Sequence, residues 1–91
     1  MRVLTELEKT VLLTFLVLAK KQTSKFQSEE SIVLKFPMRQ RKNVRKAIKK
    51  LEKGGFLIKH ATQESYKFSE KGLKNALRLL YEGAKLWAYL R

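Results

Sequence analysis

Residues 44–57, with the sequence VRKAIKKLEKGGFL, contain the pattern that decides the fold. Their apolar side chains recur at the i, i+3, i+4 and i+7 spacing of a single helix face, which comprises Val44, Ala47, Ile48 and Leu51. Gly54 and Gly55 then predict the end of the helix, since glycine readily takes the left-handed conformation that follows a helix cap. We therefore expect a helix over about residues 39–54 with one narrow apolar stripe.

Beyond these glycines the pattern changes from helical to alternating. The residues on either side of a polar tip at 61–64 alternate in character, which predicts a two-stranded β-hairpin over about residues 56–68. The side chains expected to face inward are Phe56, Ile58, Tyr66 and Phe68. His60 is expected to be an ordinary polar residue of the first strand.

Two helices are expected before the basic helix. Thr5 and Glu8 have the spacing of a capping box, and a wide apolar arc follows them. Ser28 and the two glutamates after it mark a second, short helix, which Pro37 ends because the residue before a proline avoids the α region. The polar segment 22–27 is expected to be a loop. The apolar residues of the short helix are expected to be Ile32, Val33 and Phe36.

The last predicted helix runs over about residues 69–91 and begins at the capping residue Ser69. It has a 4-3-4-3 apolar seam of about two heptads, formed by Leu73, Leu77, Leu80, Ala84 and Trp87. This seam is the expected homodimer interface, and the first-helix residues expected across from it are Val11, Phe15 and Leu18. Two heptads are few, so a plain amphipathic helix that covers the core stays open as an alternative.

The length indicates a single domain over residues 1–91, and the predicted helices and hairpin make it α+β, mainly α. The 91 residues include 21 Lys and Arg but only 8 Asp and Glu, which gives a formal net charge of +13. Ten of the basic residues lie between Lys35 and Lys59, where Glu52 is the one acid. Such a concentrated positive field favours a polyanionic partner, because a lysine-rich surface suited to high temperature would carry matching glutamates.

The residue types that are missing exclude several classes of function. The chain has no Cys and no Asp, and its one histidine is His60, so disulfides, zinc fingers, catalytic triads and aspartate metal sites lack the residues they need. We expect neither an enzyme nor a bound metal or cofactor. The apolar stretch from Val11 to Ala19 is about half the length of a membrane span, and we expect a cytoplasmic protein without membrane contact.

The order helix, helix–turn–helix, hairpin, helix resembles that of winged helix-turn-helix proteins. The run from Val44 to Leu57 is similar to the recognition helix of that superfamily and its entry into the wing. The segment Tyr66-Lys67-Phe68-Ser69-Glu70-Lys71-Gly72 resembles the motif that ends the wing in MarR-like and PadR-like regulators. The resemblance implies a helix-turn-helix at about 28–54, a wing at about 56–68 and a C-terminal dimerisation helix at about 69–91.

In the leading interpretation, the basic helix 39–54 enters the major groove of double-stranded DNA. The candidates for contacts at or near the bases are Arg39, Gln40, Arg41, Lys42, Asn43, Arg45 and Lys46. The residues expected to meet phosphates are Lys49, Lys50 and Lys53, and the wing residues expected near the backbone or minor groove are Lys59 and Lys67. Two of the arginines, Arg41 and Arg45, are expected to identify particular base pairs.

Three functions stay open from the sequence. The first is a dimeric, sequence-specific transcription regulator associated with the nucleoid. The second is a non-specific architectural DNA-binding protein or an RNA-associated winged helix of the ribosomal type, which the excess of lysine over arginine favours. The third is a winged helix that binds only protein, because this fold does not by itself establish nucleic-acid binding.

Overall fold

The described part of the chain forms four helices and three short strands, each with at least one residue packed toward the core or paired in the sheet. The computed structural model describes the backbone of residues 4–20 and 22–90, and the side chains of these residues as far as Gly83. Its helices are α1 (Glu6–Ala19), α2 (Glu29–Val33), α3 (Arg41–Lys53) and α4 (Glu70–Leu90), and its strands are β1 (Gln27–Ser28), β2 (Leu57–Lys59) and β3 (Ser65–Phe68). A 3-10 turn at Met38–Gln40 precedes α3. The helical share of 62% confirms the α+β, mainly α class.

The helix starts follow the local sequence signals. Thr5 and Glu8 form the predicted capping box, in which the Glu8 amide donates to Thr5 Oγ1 at 3.1 Å and the Thr5 amide donates to Glu8 Oε1 at 2.9 Å. Ser28 Oγ accepts from a backbone amide of α2 at 3.1 Å. Ser69 Oγ accepts from the Gly72 amide at 3.0 Å at the start of α4. These bonds satisfy amides that have no partner within their own helix.

The predicted hairpin is part of a three-stranded antiparallel sheet in the order β1-β3-β2. The added strand, β1, pairs Gln27 with Tyr66 and Ser28 with Ser65. It lies at the end of the segment expected to be a loop, because two residues carry no alternating pattern and are defined as a strand only by their partner. This pairing anchors the start of α2 to the sheet.

The core lies between α1, α2, α3, the first half of α4 and the inner face of the sheet. Its least exposed side chains include Val11, Leu12, Phe15, Ile32, Val33, Val44, Ile48, Leu51 and Tyr66. Burying one such side chain contributes about 1.5–3 kcal/mol to folding. The prediction that Val11 and Phe15 form a dimer interface is therefore wrong, because both side chains are buried within the chain's own core and have no surface left for a second subunit.

The prediction that Ile58 faces the core is also wrong, since 45% of its surface is exposed. Phe56 still belongs to the turn that ends α3, where its amide donates to the Leu51 carbonyl at 2.9 Å. The strand alternation therefore begins one residue later than expected. Leu57 is the buried residue that pairs with Phe68, and Ile58 points to the opposite face of the sheet.

The basic helix starts later than the expected boundary at residue 39. α3 begins at Arg41, so Arg39 and Gln40 lie in the 3-10 turn. The Gln40 amide donates to the Pro37 carbonyl at 2.9 Å, which closes this turn. A proline has no amide proton of its own, so it suits the start of such a turn better than the interior of a helix.

The short helix α2 ends at Val33, earlier than the sequence suggests. Phe36 lies in the turn that follows, where its amide donates to the Val33 carbonyl at 3.1 Å, and its side chain is still buried. Pro37 disfavours the α region for the residue before it, so the chain leaves the helix before it reaches the proline.

Glycine at position 72 is required by the close contact between α4 and the end of α3. Gly55 has a φ of 83°, and it supplies the left-handed residue predicted after α3. The Phe56 backbone then passes against the first turn of α4, where a Cβ at Gly72 would overlap the Phe56 carbonyl oxygen. That carbonyl also accepts from the Ser69 amide at 3.2 Å, so moving it away would break a hydrogen bond.

We expect Gly72→Ala to lower the free energy of unfolding by about 1–3 kcal/mol or more, because the overlap involves backbone atoms. Gly83→Ala is the matched control within α4. No described atom lies within 4 Å of its added Cβ, and alanine is the better helix former by about 1 kcal/mol, so this variant is expected to gain stability. Urea unfolding followed by circular dichroism measures both. Equal effects of the two substitutions would contradict the close contact at Gly72.

Candidate nucleic-acid interface

The basic residues of α3 form an exposed surface opposite its buried stripe. At 100° per residue, four lysines lie within about 40° of the direction opposite the core, namely Lys42, Lys46, Lys49 and Lys53. All four side chains are exposed, and we call these four residues the lysine face. It points away from the core because the apolar stripe of α3 holds the other side of the helix within it.

All twelve residues predicted to contact DNA retain some exposure. The exposed ones are Arg39, Gln40, Lys42, Asn43, Lys46, Lys49, Lys50, Lys53 and Lys59. The partly buried ones are Arg41, Arg45 and Lys67. The structure brings ten of the twelve together in α3 and the 3-10 turn before it, whereas Lys59 and Lys67 lie in β2 and β3.

The two arginines expected to identify base pairs bind to other parts of the chain. Arg41 Nε donates to the Phe36 carbonyl at 3.1 Å, which ties the start of α3 to the preceding turn. Arg45 forms ion pairs with the two acids that begin α2, at 3.4 Å from Glu29 and 3.2 Å from Glu30. Both guanidinium groups are thus oriented toward α2 and the turn after it, and not along the lysine face.

The other edge of α3 faces α1. Asn43, Lys46 and Lys50 line a shallow cavity of about 190 Å³ together with residues at the start of α1. Glu8 also lines this cavity, and it is buried although it carries a carboxylate. Carboxylates from α1 and α2 therefore lie along the two edges of α3, on either side of the lysine face.

Met38 is an exposed residue that no sequence pattern identifies as part of the site. It lies in the 3-10 turn beside Arg39 and 79% of its surface is exposed. A thioether side chain adapts to irregular surfaces, so Met38 adds an apolar group to the leading end of the basic surface. One sequence signal could have identified it: Met38 is an apolar residue that directly follows a proline and belongs to no helical or alternating pattern.

The side chains of the β2–β3 hairpin contact one another and Phe26, which precedes β1. Lys59 pairs with Glu64 at 3.6 Å, and Lys67 Nζ lies 5.0 Å from the centre of the Phe26 ring. His60 lies one residue beyond β2, where its Nδ1 accepts from a backbone amide of the turn at 3.2 Å. Its ring packs edge-on against Phe26 with the ring centres 4.8 Å apart. These contacts join the hairpin to the segment before β1.

Apart from Val11 and Phe15, which are buried in the core, the six other residues predicted for a dimer interface fall into three groups. Two of them are exposed on α4, namely Leu77 and Leu80, and Tyr81 beside them is exposed as well. Two are partly buried against the core, namely Leu18 and Leu73. The last two, Ala84 and Trp87, lie outside the described side chains. A cavity of about 350 Å³ lies along the outer side of α1 and is lined by Thr10, Leu13, Thr14, Val17, Leu18 and Lys35.

Comparisons with known proteins find no match for this chain. No family model fits it, and neither a curated protein nor a solved structure matches it. Among the described residues, no helix has the length and apolar character to cross a membrane. No group of three or more metal-ligating side chains in that part of the chain is arranged to hold a metal ion.

Tyr66 lies in β3 and pairs with Gln27 of β1, just before the start of α2. The pKa of its hydroxyl differs clearly from that of an ordinary tyrosine. Burial raises the pKa of its hydroxyl to about 12, and the negative charges of Glu29, Glu64 and Glu52 act in the same direction. The fold therefore favours the neutral phenol at the junction of α2, α3 and the sheet.

We expect the stability of the fold at alkaline pH to depend on Tyr66. The pKa of about 12 in the folded state lies above the ordinary value near 10, so the stabilisation from the neutral phenol is complete below pH 10 and is lost as the pH rises through 12. Its full size is about 3 kcal/mol. Urea unfolding at several pH values should therefore show a steeper alkaline loss for the wild type than for Tyr66→Phe. Parallel pH profiles of the two proteins would contradict this assignment.

Proposed function

We propose that this protein is a winged helix-turn-helix domain that binds double-stranded DNA through α3. The order of elements supports the fold, since α2 and α3 are joined by a short turn and followed by an antiparallel hairpin. The observation that carries the function is the lysine face, where four exposed lysines project from a helix whose opposite side is buried. A helix surface with one sign of charge is complementary to a polyanionic groove.

In this proposal α3 lies in the major groove, which is about 12 Å wide and admits a helix. The lysine face meets the phosphates that border the groove, and Arg39, Gln40 and Asn43 reach toward base edges from the start of the helix. The hairpin acts as the wing, with Lys59 and Lys67 beside the DNA backbone.

We further infer the role of a dimeric transcription regulator at the nucleoid, without catalysis, metal or cofactor. The absence of Cys and Asp from the chain supports a binding role over an enzymatic one, because these residues supply common nucleophiles and metal ligands. Amide and guanidinium groups at the start of α3 support sequence preference, because both can form paired hydrogen bonds with bases.

A non-specific DNA-binding or RNA-associated protein is the second candidate, and the lysine face favours it too. Lysine carries a compact point charge, whereas arginine forms the paired hydrogen bonds that identify guanine. Arg41 and Arg45 are engaged within the chain, so the surface that remains is richer in phosphate-binding than in base-reading groups. A winged helix that binds only protein is the third alternative.

Selection from a pool of random duplexes, with an RNA hairpin as competitor, separates these candidates. A palindromic DNA motif supports the dimeric regulator, and equal binding of every duplex supports the architectural protein. Preference for the RNA hairpin supports the RNA-associated protein. If no nucleic acid binds at low salt, the proposal fails and the protein-binding alternative gains.

We expect DNA binding to weaken steeply as salt increases. Each phosphate contact contributes about 0.9 to the slope of log K against log salt, so a dimer with four or five contacts per subunit has a slope of roughly −7 to −9. Lys49→Ala is expected to reduce that slope by about 0.9 per subunit without changing which sequences are preferred. The control is Lys74→Ala, which removes an α4 ammonium that pairs with Glu70 at 3.3 Å, and it should leave the slope unchanged. A wild-type affinity independent of salt would overturn the electrostatic basis of binding.

The homodimer in this proposal is formed by α4 with help from α1. Leu77, Leu80 and Tyr81 expose apolar surface on α4, and Val17 does so on α1. Exposed apolar side chains of this kind favour self-association, because association removes them from water. Two-fold symmetry is expected to place two α3 helices about 34–36 Å apart, which suits half-sites one DNA turn apart.

We expect Leu80→Glu to produce a folded monomer with weakened DNA binding. Leu80 is 51% exposed, so the new carboxylate stays in water within one subunit but becomes buried and unpaired on association. Glu82→Gln changes a neighbouring exposed residue without adding charge and should remain dimeric. Sedimentation at tens of micromolar gives the mass, and circular dichroism verifies that each variant is folded. A monomeric wild type at these concentrations would refute the dimer.

A further inference from the structure

We propose that Arg45 is a positioning residue of the nucleic-acid interface, held in place by Glu29 and Glu30, and that it does not read bases. This inference rests on the proposed function and specifies how α3 is fixed and which of its groups meet the nucleic acid. Arg45 lies on the edge of α3 that faces α2, about 70° from the centre of the lysine face. Its two terminal nitrogens bind different carboxylates, with Nη1 3.4 Å from Glu29 and Nη2 3.2 Å from Glu30.

The ion pair with Glu29 is the buried part of this network. The Glu29 side chain is 10% exposed, whereas that of Glu30 is 63% exposed. A carboxylate removed from water needs a cation or hydrogen-bond donors nearby, and Glu29 Oε1 has no hydrogen-bond partner in the described part of the chain. Arg45 therefore compensates the charge of Glu29, and moving it away would leave that charge buried and unpaired.

Glu29 is itself fixed to the sheet and to the hairpin. Its amide donates to the Glu64 carbonyl at 2.9 Å, in the turn between β2 and β3. The residue before it, Ser28, caps α2 and pairs with Ser65 of β3. Arg45 thereby fastens α3 both to α2 and to the hairpin, which are the two elements that flank α3 in the proposed interface.

This arrangement determines the kind of contact that α3 makes. Arg45 Nη2 donates a hydrogen bond to Glu30, and Nη1 is held by the charge of Glu29, so the guanidinium must leave both carboxylates before it can bind the O6 and N7 atoms of guanine. The lysine face remains for the nucleic acid, and ammonium groups bind phosphates as point charges. The middle of α3 therefore recognises the sugar–phosphate backbone of a duplex, and base contacts come from Arg39, Gln40 and Asn43 at the start of the helix.

A double-mutant cycle tests the coupling of Arg45 to Glu29 without any nucleic acid. Arg45→Met is expected to lower the midpoint of thermal unfolding by roughly 5–10 °C, because the Glu29 carboxylate stays buried without its cation. In a Glu29→Gln background the same substitution is expected to lower it by about 2 °C or less, because no buried charge remains. An equal loss in both backgrounds would overturn the positioning role.

Binding measurements test whether Arg45 reads bases. At a temperature where every variant is folded, Arg45→Lys is expected to weaken binding to two duplexes of unrelated sequence by the same factor. Selection from random duplexes should return the same base preferences for Arg45→Lys as for the wild type. If this variant loses preference at a particular base pair, Arg45 leaves its carboxylates to read that pair, and the proposal is overturned.

Lys46→Ala is the matched control, since Lys46 is the next residue along the chain but belongs to the lysine face. It should reduce the salt slope by about 0.9 per subunit without lowering the unfolding midpoint, whereas Arg45→Lys should leave the slope unchanged. If the wild type binds no duplex, the proposed function is overturned, and so is the claim about how α3 contacts the nucleic acid. The coupling between Arg45 and Glu29 is decided by the cycle alone.

Discussion

The first turn of α4 lies against the backbone that joins α3 to β2, and the packing of the long helices depends on this contact. Ser69 Oγ donates to the Gly55 carbonyl, and Lys71 Nζ donates to the Gly54 carbonyl at 3.0 Å. Gly72 allows the helix to approach the Phe56 carbonyl closely enough for both bonds to form. Because α4 also packs on α1, and α1 packs on α3, this contact closes the helices around one core and directs the lysine face outward.

Much of the fold is predictable because its signals are local. The capping pair Thr5 and Glu8 and the left-handed Gly55 each act within a few residues, and the structure places them as the sequence indicates. β1 is not predictable in the same way, since two residues form a strand only through pairing with β3, about forty positions further along the chain. The orientation of Ile58 depends on a turn whose length the alternating pattern does not specify.

The same distinction between local and long-range signals determines which parts of the candidate site are predictable from the sequence. The lysine face is predictable because the helical period alone determines which residues lie opposite the apolar stripe of α3. The orientation of Arg45 is not, because its partner Glu30 lies 15 residues away in another helix and is brought near only by tertiary packing. Composition identifies a basic helix but does not distinguish an arginine that faces a ligand from one that compensates a buried carboxylate such as Glu29.

The sequence of α3 departs from the rules that α1 and α2 follow, both in its cap and in the placement of its charges. α1 and α2 begin with side-chain caps and acids in the first turn, whereas α3 begins after Gln40 with no cap hydrogen bond and no acid there. Its lysines stand three and four residues apart, and each such like-charge pair costs about 0.2–0.5 kcal/mol. The helix persists because its apolar stripe is buried. Phosphates bound along the lysine face would offset the repulsion between the lysines. Phosphates near the start of α3 would also interact favourably with the positive end of the helix dipole. Binding a polyanion would therefore stabilise α3 relative to the free protein. This local conflict supports a polyanionic partner independently of the net charge, since natural sequences violate such rules mainly at functional sites.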